Sequence, residues 1–347
     1  MKVAVFSSKP YDRQFLHAAN GGRHELRYLD CRLTVATADL AKGSSAVCLF
    51  ANDEANATTM MAFAHMGVSL IALRAAGFDN VDLSAARAHR IAVARVPAYS
   101  PHAVAEHAFA LLLGLNRKLH LAYDRVRQGN FSLDGLMGFD LAGKTIGIVG
   151  VGNIGSVAAR IATGFGCEVL AFDPVRRDEN RAFVEYVGLD KLLERADIVS
   201  LHCPLNESTR HLIGLSEFAR MKPGALLINT SRGAVIDTAA AIDALESGQL
   251  GGLGLDVYEG EEKLFSENRS GEVLVDNQFT KLCSMPNVLV TPHQGFFTVE
   301  ALTNIASTTV ANLDAFERTG RPLHPVSAEA PCAAASVSVP EPFKFAT

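Results

Sequence analysis

The sequence predicts an α/β protein of two doubly wound parallel-sheet domains with a cleft between them. Three observations carry this. Short β-branched runs alternate with longer Ala-rich, helix-compatible segments; the runs are continuously apolar; and they fall into two sets on either side of one long helical stretch. A continuously apolar strand is buried on both faces, which requires a parallel sheet covered by helices on each side.

The first set of strands is KVAVFSS (2–8), HELRYLD (24–30), AVCLFAN (46–52), LIALRAAG (70–77) and IAVARVP (91–97). Residues 100–129 then read as one long helix, with Ser100 as N-cap, Pro101 in the first turn and Gly129 as the stop. The second set is KTIGIVG (144–150), CEVLAFD (167–173), DIVSLHC (197–203), ALLINTS (225–231), GGLGLDVY (251–258) and NVLVTPH (287–293). A last long helix covers 298–320 and ends at Gly320. No strands remain to build a third layer, so this helix is expected to return to the first domain. The expected division is residues 1–100 with 297–330 as a discontinuous substrate domain, 101–296 as a nucleotide-binding domain, and an Ala-, Ser- and Pro-rich flexible tail at 331–347.

Bulk properties narrow the function. A length of 347 residues suffices for two domains with a sizeable core in each. The net charge of −5 is spread along the chain without a basic patch, so neither nucleic acid nor an anionic membrane is an expected partner. The N-terminus MKVAVFSSKP enters a strand pattern at once, and no apolar run is long enough to span a bilayer, so a cytoplasmic location is expected. The six cysteines, at 31, 48, 167, 203, 283 and 332, show neither a CxxC pair nor zinc spacing. Isolated thiols and no metal site are expected. Cys203 beside His202 has the composition of a nucleophile–base pair, but neighbours in a strand point to opposite faces. A buried thiol is the reading kept.

GIVGVGNIGSVAARIA (147–162) carries G-x-G-x-x-G as Gly150, Gly152 and Gly155, with Asn153 and Ile154 between. The pattern alone is weak; here it follows a strand and opens a helix, the context a pyrophosphate cradle needs. The glycines allow a tight turn, close approach of a phosphate, and close helix–strand packing, while the helix N-terminus offers N–H groups to the anion. Asp173 closes the next strand, where a carboxylate accepts both ribose hydroxyls and repels a 2′-phosphate. NAD is therefore the expected cofactor, with Arg176 and Arg177 leaving some allowance for NADP.

Three strand ends of the second domain deliver ionisable groups to the same side: Arg232 after LLINTS, Glu261 after LDVY, and His293 closing VLVTPH. A guanidinium fork binds a small carboxylate through two parallel hydrogen bonds. A histidine beside a carboxylate has its charged form favoured and its ring oriented, as a general acid requires. Each residue alone has an ordinary structural explanation, and EGEE (259–262) alone reads as a solvated charge run. Their joint placement beyond a nucleotide cradle is what points to chemistry.

These stretches, with LRAAGFDNVDL (73–83), RVPAYSPHAVAEHA (95–108), SLHCPLN (200–206), MKPGALLINTSRGAVID (221–237), GLDVYEGEEKLF (254–265) and PNVLVTPHQGFFTVEAL (286–302), resemble the D-2-hydroxyacid dehydrogenases. The match follows family order to about residue 320 and is closest to the fermentative D-lactate branch, whose long connection resembles 259–287. The resemblance implies that Arg232 grips the substrate carboxylate, that His293 donates the proton, and that Glu261 orients it, with Glu259 and Glu262 as alternatives. It places Asp256 near the nicotinamide and His202, Cys203, Pro204, Thr230 and Ser231 at the cofactor. Ala75, Ala76 and Gly77 would offer amides to the carboxylate, and Phe50, Tyr99 and Phe296 would close on a small side chain, with core packing as the rival reading for these three rings. The implied reaction is reversible, NADH-dependent reduction of pyruvate to D-lactate by a homodimer or homotetramer. A sister enzyme for a larger 2-oxo acid, or an NAD-sensing corepressor-like protein, stays open as an alternative.

Overall fold

The computed structural model describes residues 1–264, 268–272 and 274–326; the tail expected at 331–347 lies outside them, as does Cys332. The chain divides into two compact units, Met1–Ser100 with the chain from Val299, and Pro101–Thr298.

The first unit contains β1 (Lys2–Val5), α1 (Pro10–Asn20), β2 (Glu25–Tyr28), β3 (Ala46–Leu49), α2 (Ala57–His65), β4 (Leu70–Leu73), α3 (Leu83–Ala88) and β5 (Ala92–Ala94). Its sheet runs β2-β1-β3-β4-β5 with every pair parallel. The runs AVCL and LIAL of β3 and β4 are buried along their whole lengths, as central parallel strands require. Asn56 and Asp82 start α2 and α3 by accepting the Thr59 and Ala85 amides at 3.0 and 2.9 Å.

The second unit contains α4 (Pro101–Asn116), α5 (Leu119–Arg127), β6 (Thr145–Val149), α6 (Asn153–Gly164), β7 (Glu168–Phe172), β8 (Glu185–Tyr186), α7 (Leu189–Arg195), β9 (Ile198–Leu201), α8 (Leu215–Arg220), β10 (Ala225–Asn229), α9 (Thr238–Glu246), β11 (Leu250–Leu255), α10 (Asn277–Ser284) and β12 (Val288–Val290). Its sheet runs β12-β11-β10-β9-β6-β7-β8, so the chain order reverses between β6 and β9. Successive residues feed opposite cores. Val199, Leu227 and Leu253 pack on one face, while Ile146, Ile148, Leu226 and Ile228 pack on the other with α4 and α6. Each such side chain contributes about 1.5–3 kcal/mol on burial. A one-residue slip would move a whole set to the wrong face, so the register is strongly specified.

After the second unit, α11 (Val299–Thr319) packs on α1 and β4, with Ala306 and Leu313 in the core made by Val3, Val5 and Leu70. It stops at Gly320, whose φ is +70°. No helix among the described residues is long and apolar enough to cross a membrane.

Two elements depart from expectation. The helix read as continuous over 100–129 breaks after Asn116, and Lys118 turns the chain with φ +50°. The returning segment at 137–139 crosses that helix end. The Asn116 amide bonds both backbone groups of Phe139, and Lys118 Nζ donates to Met137 O at 3.0 Å. These contacts come from residues 19 and 23 positions away, so local helical propensity does not reveal them. The second departure is β8, an edge strand of two residues, too short for any period to register.

Candidate active site

Strand register aligns Val149, Leu201, Asn229, Leu255 and Val290 in one row across β6, β9, β10, β11 and β12. The next residue of each strand is Gly150, His202, Thr230, Asp256 and Thr291, so this second row stands just beyond the carboxyl ends. Backbone bonds carry the alignment that far: His202 N to Val149 O at 2.8 Å, Asp256 N to Asn229 O at 2.9 Å, and Thr291 N to Leu255 O at 2.8 Å. Neighbours in such a row lie about 4.8 Å apart, and open α/β sheets bind ligands at this edge.

The glycine turn has the shape of a phosphate cradle. At Gly150, φ +91°, a Cβ would stand 2.7 Å from Cys203 N. At Gly155 it would meet Gly150 O at 2.0 Å, so only glycine lets α6 seat on the turn. Gly152, which starts α6, has open space where a Cβ would project, and the helix's first N–H groups lie at that opening. Asn153 and Ile154 begin α6, and Ile154 packs on the core beneath. Asp173 Oδ2 accepts Val151 N at 2.7 Å and Oδ1 accepts Val175 N at 2.8 Å, which holds its carboxylate beside the glycine turn. The buried Thr230 Oγ1 and His202 Nδ1 have no hydrogen-bond partner within the described residues. Buried polar groups of that kind call for a ligand or water. An open N-terminus, a carboxylate one strand over and unsatisfied polar atoms on the row fit a dinucleotide.

The Cys203–His202 pair has no nucleophilic geometry. His202 Nε2 lies 2.9 Å from Ser200 Oγ instead, and burial pushes the imidazole down to about 4. Burial pushes the Cys203 thiol up to about 11, so both groups are neutral near pH 7. Pro204 O accepts the Thr209 hydroxyl at 2.6 Å, closing the loop behind them.

The charged residues converge on the same edge. Asn229, fully buried at the end of β10, shapes the turn that follows: its Oδ1 accepts Ser231 N at 2.9 Å and Ser231 Oγ at 2.8 Å, and its Nδ2 donates to Arg232 O at 2.9 Å. The half-buried Arg232 donates from Nη1 to Ser231 O at 2.8 Å. At Gly233 a Cβ would meet Tyr258 C at 2.1 Å, so the turn carrying Arg232 lies directly on the chain leaving β11. That chain is folded back by Glu261, whose Oε2 accepts Tyr258 N at 2.9 Å. Glu261 Oε1 lies 2.7 Å from His293 Nδ1. An ionised carboxylate only accepts, so Nδ1 is the donor and Nε2, across the ring, is the remaining proton site. Of the neighbouring acids, Glu259 pairs elsewhere, with His211 Nε2 at 2.7 Å and the Thr238 hydroxyl at 3.2 Å. The Tyr258 hydroxyl donates to Asp276, which also caps α10, so the Glu261 loop is anchored at its base.

The remaining candidate residues divide between the units. Phe296 is half-buried in the second unit, edge-on to Phe297 with ring centroids 6.0 Å apart. In the first unit, Phe50 N donates to Asp53 at 2.7 Å, and the Phe50 ring centroid lies 5.7 Å from the guanidinium of the buried Arg74. The turn at Ala75, Ala76 and Gly77 is held by its carbonyls: Ala75 O accepts Val96 N at 3.1 Å and Ala76 O accepts Arg95 Nη1 at 3.0 Å. Tyr99 O accepts the Asn304 side chain at 2.6 Å. Two residues that shape this edge escaped sequence reading: Asn229 and Thr291. For Asn229 a signal existed, since an amide ending a wholly apolar strand needs partners in the next turn. Among the described residues no cluster suited to a metal ion occurs.

Comparison with known proteins shows the family. The model of the D-isomer specific 2-hydroxyacid dehydrogenase NAD binding domain matches residues 109–295. The chain is 50% identical over 320 residues to 2-hydroxyacid dehydrogenase A of Aspergillus oryzae, covering 91% of this chain and 92% of that protein. It is 48% identical over 320 residues to D-lactate dehydrogenase of Escherichia coli, covering 92% and 97%. The solved structure of the pyruvate reductase of Chlamydomonas reinhardtii superposes with a TM-score of 0.87 at 47% identity, over 93% of this chain and 98% of that one.

Proposed function

The chain belongs to the D-isomer specific 2-hydroxyacid dehydrogenase family, NAD-dependent oxidoreductases, and from that premise we propose that it reduces pyruvate to D-lactate, reversibly. The observation that carries the proposal is the His293–Glu261 pair, 2.7 Å apart, at the strand ends that also carry Arg232 and the glycine cradle. Bound NADH supplies the hydride. Arg232 binds the substrate carboxylate with its fork and sets the direction of the C2 carbonyl. Protonated His293 gives its Nε2 proton to the oxygen that becomes the alcohol, and Glu261 holds the ring through Nδ1. The Ala75–Gly77 amides and the rings of Phe50, Tyr99 and Phe296 are assigned to the substrate on the resemblance. NADH oxidation with a panel of 2-oxo acids, with chiral analysis of the product, tests this. Pyruvate should be preferred and the product should be the D isomer. Preference for phenylpyruvate would make the chain a sister dehydrogenase, and no turnover with any 2-oxo acid would leave an NAD-sensing protein.

Asp173→Ala should weaken NADH binding by about ten- to a hundredfold, the worth of a charge-assisted pair of hydrogen bonds. NADPH should lose much less, because its 2′-phosphate gains from removal of the charge. Equal losses for both, measured by fluorescence titration, would remove Asp173 from the ribose site.

The functional setting is a cytoplasmic homo-oligomer, a dimer or a tetramer. Its support is an apolar surface on α5 and the chain after it, where Leu119, Tyr123, Val126, Phe131, Leu133 and Met137 are each more than half exposed. Sedimentation equilibrium reads the state, and a monomer at micromolar concentration would refute it.

A further inference from the structure

The reaction as read above does not use His107, on α4. Its Nε2 lies 3.0 Å from the Thr291 hydroxyl and 3.1 Å from Oδ1 of Asp256, a carboxylate only 2% exposed. Asp256 accepts three further hydrogen bonds, from Thr291 Oγ1 at 2.6 Å, Gln294 N at 2.8 Å and Gly295 N at 2.8 Å. Those partners bracket His293, two residues before it and one and two residues after.

His293 itself takes φ +54°, the left-handed region that residues other than glycine adopt uncommonly. A backbone in that state persists only where its surroundings dictate it. Asp256 does so by gripping the chain on both sides of the strained residue. The contact is tight at 295: a Cβ there would stand 3.0 Å from Asp256 Oδ2 and 3.4 Å from His107 Cδ2, so a larger residue would require these neighbours to shift by a few tenths of an ångström. Burial pushes the Asp256 carboxyl up, but the hydrogen bonds from His107 and Thr291 outweigh it and hold the group below the usual carboxylate range. His107 stands on a helix whose Ala105, Ala108, Phe109 and Leu111 are core residues. The strained turn is thereby tied to one of the most deeply packed elements of its unit.

We infer that His107 is a positioning residue: through Asp256 and Thr291 it fixes the left-handed turn that aims the His293 ring, while acting on no reacting atom itself. The inference rests on the assignment of His293 as proton donor. Both a chemical and a non-chemical readout are therefore needed.

The test compares wild type, His107→Ala and His107→Gln, the last placing an amide N–H donor near the original Nε2. A small misplacement of a reacting group costs up to about a hundredfold; His107→Ala should lower kcat for pyruvate reduction by about ten- to a hundredfold and leave the pyruvate KM within about threefold. Amide hydrogen exchange at Gln294 and Gly295 should quicken by at least tenfold, roughly the loss of one ordering hydrogen bond. His107→Gln should restore most of both. Wild-type kcat and unchanged exchange in His107→Ala would overturn the inference. So would exchange quickened equally throughout α4 and β12 without rescue by Gln, since that marks general loosening. If the wild type turns over no 2-oxo acid, the proton-donor reading fails, and the exchange comparison still decides whether His107 holds the turn.

Discussion

His293→Ala is expected to lower the rate of pyruvate reduction by about 10²–10⁴-fold, the usual contribution of a positioned general acid. The NADH dissociation constant should stay within about threefold, because the ring acts on substrate rather than cofactor. The pairing of Nδ1 with Glu261 commits one side of the ring and leaves Nε2 to exchange a proton. The pH dependence has a definite sign. Reduction needs a proton on the ring, so its rate falls as rising pH strips that proton. Oxidation of D-lactate needs the ring unprotonated, so its rate rises over the same interval. In the alanine variant both profiles should flatten. Steady-state rates in both directions, with NADH titrated by fluorescence, check this. Comparable losses in turnover and NADH affinity, or an unaltered pH profile in the variant, would remove His293 from the proton transfer.

Arg232→Lys is expected to raise the pyruvate KM by about ten- to a hundredfold and to lower kcat as well. The ammonium keeps the charge, so a purely Coulombic role would survive the change. The planar fork with two parallel N–H donors is what lysine lacks. The backbone beneath Arg232 is set by Asn229 and by the contact of Gly233 with Tyr258, and neither depends on the side chain at 232. The variant should therefore fold normally and isolate the recognition effect. Oxamate, a pyruvate-shaped carboxylate, should lose affinity in parallel with KM. Unchanged KM and oxamate affinity would show that another group grips the carboxylate.

How much of this was legible from sequence depended on the range of the interactions involved. The glycine cradle was readable because Gly150 and Gly155 answer steric demands, from the chain at 202–203 and from Gly150 O, that only a residue without Cβ meets. The parallel sheets were readable because strands such as AVCL and IVSL are apolar at nearly every position, and only burial on both faces explains that. Among the three acids of EGEE, local sequence does not say which one turns toward a histidine thirty residues on. In the structure Glu261 meets His293, while Glu259 faces His211. The break between α4 and α5 was hidden for the same reason, since the segment that interrupts the helix arrives from Phe139.

By itself, then, the amino-acid order determined what is written in neighbouring residues: strand burial, helix starts and stops other than the break between α4 and α5, the phosphate turn, and the family whose motifs recur along the chain. Only the tertiary structure decided which distant groups share a proton or a backbone. Asp256 closing on both sides of His293, His107 reaching it from α4, and α11 settling on α1 and β4 are all of this kind. The physical reason is that hydrophobic periodicity and turn chemistry are expressed over a few neighbouring residues. A hydrogen bond between residues far apart in the chain exists only once the strands that carry them have been set in register.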